Sequence, residues 1–183
     1  MPESPLMFPI LPERPQDAAA IEALVEACFG PDRMQKTVYK FRDGVAPLRD
    51  LSFVVRDGAK VEGSIRYWPV TIGESEAPAI LLGPLCIAPD RQGQGIGRAL
   101  MRHSLYAATR QGHRLCVLVG DKSYYEPFGF RNAALPGLEL PGWADPERFQ
   151  FMELVPGAMQ GVTGMVQRAP YAETARRGRR KAA

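Results

Sequence analysis

Ile80-Leu-Leu-Gly-Pro-Leu-Cys-Ile-Ala-Pro-Asp-Arg-Gln-Gly-Gln-Gly-Ile-Gly-Arg-Ala-Leu100 is the stretch around which the chain is organised. An apolar run ends at Pro89, and Arg91-Gln-Gly-Gln-Gly-Ile-Gly97 leads straight into a helical pattern, so the order is strand, glycine turn, helix. An anion belongs at such a junction. Gly93, Gly95 and Gly97 permit positive φ and close backbone approach, and the free N–H groups of the next helix's first turn point at the same spot. Pro84 cannot donate a ladder hydrogen bond, so within a buried strand it predicts a bulge or a splayed edge that leaves backbone groups free.

The residues around and beyond the glycines narrow the anion. A dinucleotide site wants Gly-x-Gly-x-x-Gly and an acidic residue about 20 positions on; here the glycines alternate, and residues 113–120 hold no acid. A phosphate-binding P-loop needs Gly-Lys-Ser/Thr, and Gly-Lys does not occur. Gln92-x-x-Gly95-x-Gly97 after a bulged strand resembles instead the acetyl-CoA pyrophosphate loop of the Gcn5-related N-acetyltransferase (GNAT) superfamily. Downstream, Gly120-Asp-Lys-Ser-Tyr-Tyr-Glu-Pro-Phe-Gly-Phe130 is similar to the Tyr-x-x-Phe-Gly-Phe segment of that superfamily. The wording of residues 118–131 and of Leu154-Val-Pro-Gly-Ala-Met159 looks most like one bacterial subgroup, the predicted N-acetyltransferases of the YhbS type.

The resemblance implies acetyl-CoA as cosubstrate, no metal, and direct transfer of an acetyl group to a primary amine. Its pyrophosphate would lie on Gln92, Gly93, Gln94, Gly95, Ile96, Gly97 and Arg98. Backbone groups of Leu85, Cys86 and Ile87 would pair with the pantetheine arm as an extra strand would. Tyr125 matches the family tyrosine beside the coenzyme sulfur, with Tyr124 the alternative one position away. A phenol of ordinary pKa about 10 can protonate a thiolate whose conjugate acid lies near 8.5, so its implied role is general acid. The base is open: the family's central-strand Glu has no counterpart in residues 80–88, leaving Glu62, read as a solvent-exposed side chain of a polar strand face, or an ordered water. A family Asn contacting the cofactor is also missing, with Asp121 nearby. Cys86 is read as core rather than nucleophile, and His103 and His113 as structural or exposed.

At 183 residues, 45% hydrophobic and 23% charged, the chain reads as one soluble domain over residues 1–170 with a disordered basic tail over 171–183. Arg176, Arg177, Arg179, Arg180 and Lys181 account for the net charge of +3, leaving the other residues at −2. A nucleic-acid surface is therefore disfavoured. Cys28, Cys86 and Cys116 form no metal spacing and fit a reducing compartment. With no basic leader and no apolar run near 18 residues, a cytoplasmic location is expected.

Periodicity predicts an edge strand at 6–11, a helix capped by Asp17 with Ile21, Leu24, Val25 and Cys28 inward, and a second helix with Met34, Thr37, Val38 and Phe41 inward. Strands at 51–56 and 61–68 flank an Asp57-Gly58 turn, forming an antiparallel meander with the bulged strand. Ile96, Ala99, Leu100, His103 and Ala107 line one helix face. Leu115-Cys-Val-Leu-Val119 then completes a βαβ unit with parallel strands. A strand at 148–155 and one within 161–167 come after a Pro/Gly-rich loop at 135–146. The fold class is mixed α+β: a mostly antiparallel sheet with one parallel βαβ unit, flanked by helices, as in the GNAT fold. GNAT relatives often pair, so a homodimer is open, and the acceptor is a small-molecule or peptide amine. Two rivals stand beside the enzyme: a non-catalytic acyl-CoA sensor of the same fold, and a nucleic-acid-associated protein using the basic tail.

Overall fold

The computed structural model describes residues 9–32, 37–142 and 145–170. Its frame grows from one long hairpin, β3 (Lys60–Ile72) and β4 (Ala77–Ile87), joined by a turn at Gly73 (φ +67°). The first half of β3 pairs antiparallel with β2 (Phe53–Asp57), which pairs with β1 (Ile10–Pro12). After α3 (Ile96–Arg110), β5 (Leu115–Val119) returns parallel to β4, giving the expected βαβ unit. The sheet continues through β8 (Phe149–Glu153) to β6 (Arg131–Asn132). The far half of β3 takes β9 (Gly164–Arg168) as its neighbour, and β9 pairs parallel with β7 (Leu138–Glu139).

Helices cover both faces. On one, Ile96, Leu100, Met101 and Leu105 of α3 pack on Ile65, Tyr67, Ile80 and Leu82. The approach is close because Gly63 has no Cβ: one placed there would lie 2.9 Å from Ile96 Cγ2 and 3.2 Å from Leu100 Cδ1. On the other face, α1 (Ala18–Phe29) buries Ile21, Leu24 and Val25 against Val54, Val61 and Cys86. Beside it, α2 (Thr37–Arg42) contributes Phe41 to a cluster with Trp68, Val70 and Leu81.

Several expectations shift in register. Residues 1–8, 33–36, 143–144 and 171–183 lie outside the described residues, and with them Met34, the start of the first strand and the basic tail. The hairpin loop is Gly58-Ala59, since Asp57 still pairs with Lys60. Asp17 stands at the N-terminus of α1 but makes no side-chain cap; its carboxylate pairs with Arg56 and accepts the Arg14 backbone N–H at 2.7 Å. The α3 stripe is rotated from the one expected: Met101, Ser104, Leu105 and Ala108 are buried and His103 is exposed. Ser104 is tolerated there because its hydroxyl shares a 2.8 Å hydrogen bond with Tyr67.

From Val61 to Ile72 neither face of β3 is exposed to solvent. Arg66 is buried under α1 and neutralised by Glu13, with two bonds of 2.8 Å, and by Glu22 at 3.2 Å. The expectation of an exposed Glu62 is overturned: it is 1% exposed. Val55 pairs with Gly63 and Arg56 with Val61, so Glu62 is the extra residue of a bulge. It meets Lys60 at 3.0 Å and Arg91 at 3.5 Å.

Candidate active site

The bulge that Pro84 implies is present. Ile65 pairs with Leu85 and Tyr67 with Leu82, so Gly83 and Pro84 together face only Arg66. Gly83 (φ +128°) turns its carbonyl to the Trp68 indole, which donates to it at 2.7 Å. Past the bulge β4 leaves β5: the parallel ladder consists of Ile80 with Cys116 and Leu81 with Val117. The two strands thus open like a fork, and a cleft of about 1650 Å³ runs through the opening.

One wall is the loop 91–95 and the start of α3. Gly93 (φ +77°) and Gly95 (φ +82°) occupy left-handed backbone, and no atom lies within 4 Å of where a Cβ would project from either. Gly95 is the N-cap and its residue supplies no side-chain cap; the first internal bond of α3 runs from the Ala99 N–H to the Gly95 carbonyl at 3.0 Å. The preceding N–H groups of Ile96, Gly97 and Arg98 thus head the helix toward the cleft, with Arg91 and Arg98 alongside. Gln92 and Gln94 tie the loop down through 3.3 Å and 3.2 Å bonds to the carbonyls of Ile87 and Asp90. This wall suits an anion with several oxygens.

The floor is the free edge of β4. Ala88 donates its N–H to the Glu62 carbonyl, so by the alternation of an antiparallel ladder Cys86 also turns its backbone to β3. Leu85 and Ile87 then turn theirs toward the cleft, where the Ile87 carbonyl already accepts from Gln92 and, at 3.4 Å, from the Cys28 thiol. The Cys86 side chain is 1% exposed, and burial first, then Cys28, pushes its thiol up, keeping it neutral. The core reading of Cys86 accords with this.

The tyrosines close the fork on the β5 side. Asp121 caps α4 (Lys122–Tyr125), accepting the Ser123 N–H at 2.9 Å. Tyr124 and Tyr125 meet edge to face, with centroids 4.9 Å apart. They reach different places. The Tyr124 hydroxyl lies over Gly97, 2.5 Å from where a Cβ would stand. The Tyr125 ring lies against Gly120 and Phe130, where Cys86 and Cys116 influence its titration. Burial, then Tyr124, Cys86 and Cys116, push the Tyr125 phenol well above the ordinary tyrosine range. Glu62, His103 and His113 do not line the cleft.

The cleft also holds groups that sequence reading passed over: Tyr39 and Arg42 of α2, and Asp145 and Arg148 before β8. Arg42 and Asp145 are half-buried and Arg148 is exposed, and no apolar periodicity marks Arg42. Among the described residues, no group of three or more His, Cys, Asp or Glu side chains is arranged to hold a metal ion, and no helix is long and apolar enough to cross a membrane.

A family described as the acetyltransferase (GNAT) domain matches residues 49–132. The uncharacterized N-acetyltransferase YhbS of Escherichia coli K12 is 31% identical over 156 residues, which are 85% of this chain and 92% of that one. Among solved structures, E. coli YhbS in complex with CoA superposes with a TM-score of 0.78 at 29% identity, covering 95% of this chain and 96% of that one. A GNAT acetyltransferase from Brucella melitensis in complex with acetyl-CoA gives 0.65 at 33% identity, covering 87% and 94%. Likeness at this depth, over nearly the whole of a relative and with the fork, glycine loop and tyrosine in one cleft, makes this chain a member of the GNAT family of N-acetyltransferases.

Proposed function

We propose that the protein transfers the acetyl group of acetyl-CoA to a primary amine by direct attack, with no acyl-enzyme. The observation that carries this reading is the joining, in one cleft, of an uncapped glycine-rich helix start to the free edge of a splayed strand. The loop 92–98 would hold the pyrophosphate through backbone N–H groups, with Arg98 adding charge. Leu85 and Ile87 would pair with the amide-rich arm, and an N–H at this edge would steady the negative charge that develops on the carbonyl oxygen. The amine nitrogen forms a bond to the carbonyl carbon, the carbon–sulfur bond breaks, and Tyr125 gives its proton to the leaving thiolate. Glu62 and both histidines stand outside the cleft lining; the amine attacks in its neutral form, its proton passes to water, and the Tyr125 phenolate takes a proton back from water. The cysteines Cys28, Cys86 and Cys116 are all unpaired, which supports work in a reducing cytoplasm.

Calorimetric titration with acetyl-CoA tests the cofactor half, using wild type, Gly95→Glu and Arg98→Glu. Micromolar binding is expected for wild type. Both variants should lose at least about tenfold, since each puts a carboxylate where the pyrophosphate would lie. Gly95→Glu carries a left-handed backbone cost of about 1–2 kcal/mol, whereas Arg98→Glu sits in regular helix and carries none. A folded wild type that does not bind acetyl-CoA removes the enzyme reading. Binding without thiol release across a broad amine panel would favour the sensor.

A further inference from the structure

The arginine at the end of α2 has no counter-ion among the described residues. Arg42 lines the cleft, and its Nε is buried with no hydrogen-bond partner there. Its surroundings are neutral or cationic: the Tyr39 ring 4.8 Å away, the Trp68 ring at 5.9 Å, the Cys86 thiol, and Arg66, which Glu13 and Glu22 already neutralise. The side chain that shares a hydrogen bond with it is Tyr39. Burial pushes Arg42 down to about 10, so it is still charged at neutral pH. The bulge makes room for it: a Cβ on Gly83 would stand 2.8 Å from Arg42 Nη2.

Its position separates it from the phosphate end. The α2 cluster and the α3 cluster lie on opposite faces of the sheet, so Arg42 and the glycine loop enter the fork from opposite sides. Along β4, Gly83 is also four residues from Ile87, roughly 13 Å of extended chain. A buried guanidinium without a counter-ion among the described residues is a costly arrangement unless something supplies an anion. Its planar fork matches a carboxylate in two parallel hydrogen bonds.

We propose that Arg42 anchors a carboxylate of the acceptor, so that the substrate is a small amine that also carries a carboxylate, as an amino acid does. This rests on the acetyl-transfer reading for which end of the ligand reacts, but the anchor itself is a binding site and is testable alone. The Tyr39 and Trp68 rings lie beside the guanidinium, while the amine end of such a ligand reaches toward the fork.

The test titrates the full chain, saturated with CoA, against the standard amino acids, their carboxamides and spermidine. Wild type is expected to bind at least one amino acid on the order of a hundredfold more tightly than its carboxamide. Arg42→Gln should erase that preference and Arg42→Lys should restore part of it. The thermal midpoint of the unliganded Arg42→Gln protein should not fall, because the charge removed has no counter-ion among the described residues and its desolvation is relieved. A wild type that binds none of the amino acids, or binds carboxamides and spermidine equally well, overturns the proposal. So does an undiminished preference in Arg42→Gln, or a loss of CoA affinity in that variant, which would assign the arginine to the cofactor. Arg42-dependent carboxylate binding without thiol release from acetyl-CoA would leave the anchor standing and remove only the transfer reading.

Discussion

Tyr124 and Tyr125 are one position apart in the chain and face different ends of the cleft. Tyr124 lies over Gly97 at the head of α3, whereas Tyr125 lies by Gly120 at the fork. Replacing Tyr125 by Phe should lower kcat by about a hundredfold or more, with acetyl-CoA affinity unchanged, and Tyr124→Phe should leave kcat within about threefold. The pH profile carries a sign. Since burial raises the Tyr125 phenol, it keeps its proton where an ordinary tyrosine would lose it, so kcat should show no descending limb below about pH 10. A limb falling near pH 8 would give the acid role to another group. At this scale legibility depended on adjacency. The place of Tyr125 at the cleft was readable because Glu126-Pro-Phe-Gly-Phe130 comes directly after it. Arg42 was not, because periodicity finds inward positions by apolarity, and a charged residue turned inward without a counter-ion among the described residues runs against that signal.

Between elements, the pair of Asp17 with Arg56 ties the start of α1 to the end of β2. Asp17→Ala would leave Arg56 enclosed and unpaired, at a cost of about 3 kcal/mol, and adding Arg56→Leu should return most of it. Urea unfolding of the four proteins measures the cycle. For the Asp17 carboxyl, burial raises the pKa, but the bonds from Arg56 and the Arg14 N–H outweigh it and hold it below the usual carboxylate range. Its stabilisation is therefore complete above the ordinary Asp value of about 3.9 and is lost as pH falls through the lower folded value. The gap between wild type and Asp17→Asn should close in acid; a gap constant from pH 7 to pH 2 would show that the pair does not titrate as a unit. Long elements were readable here. β5 matches the expected Leu115–Val119, and α3 begins and ends within two residues of its glycine signals. β6 and β7 were not, because two residues carry no period. The outward polar face expected for β3 failed because α1 covers it, with Glu22 of that helix and Glu13 just after β1 meeting Arg66, which no local pattern records.

Across the whole molecule the sheet is a partition with a gap in it. α3 holds one side, α1 and α2 the other, and β4 leaves β5 just where the two sides communicate. Amide exchange should report that division. Acetyl-CoA should slow exchange over residues 85–98 and leave 37–42 almost unaffected, and at a hundred times Kd it should add about 2.7 kcal/mol to stability. Equal protection of both segments would place the cofactor across the partition instead. The topology was legible because strand, glycine turn, helix and strand come in order within 80–119. That β3 changes neighbours from β2 to β9 along its length was not, since the pairing is set by a hairpin that outruns the strands beside it.

Trp68 gives the bulge an optical consequence. Its indole is hydrogen-bonded to Gly83 and lies 5.9 Å from the Arg42 guanidinium, and it is one of two tryptophans in the chain. A cation that close shifts the energy of the excited indole, whose dipole differs from that of the ground state. An anion settling on Arg42 cancels part of that field. Occupancy of the mouth opposite the glycine loop is therefore written into the colour of the protein's own fluorescence, with no label attached.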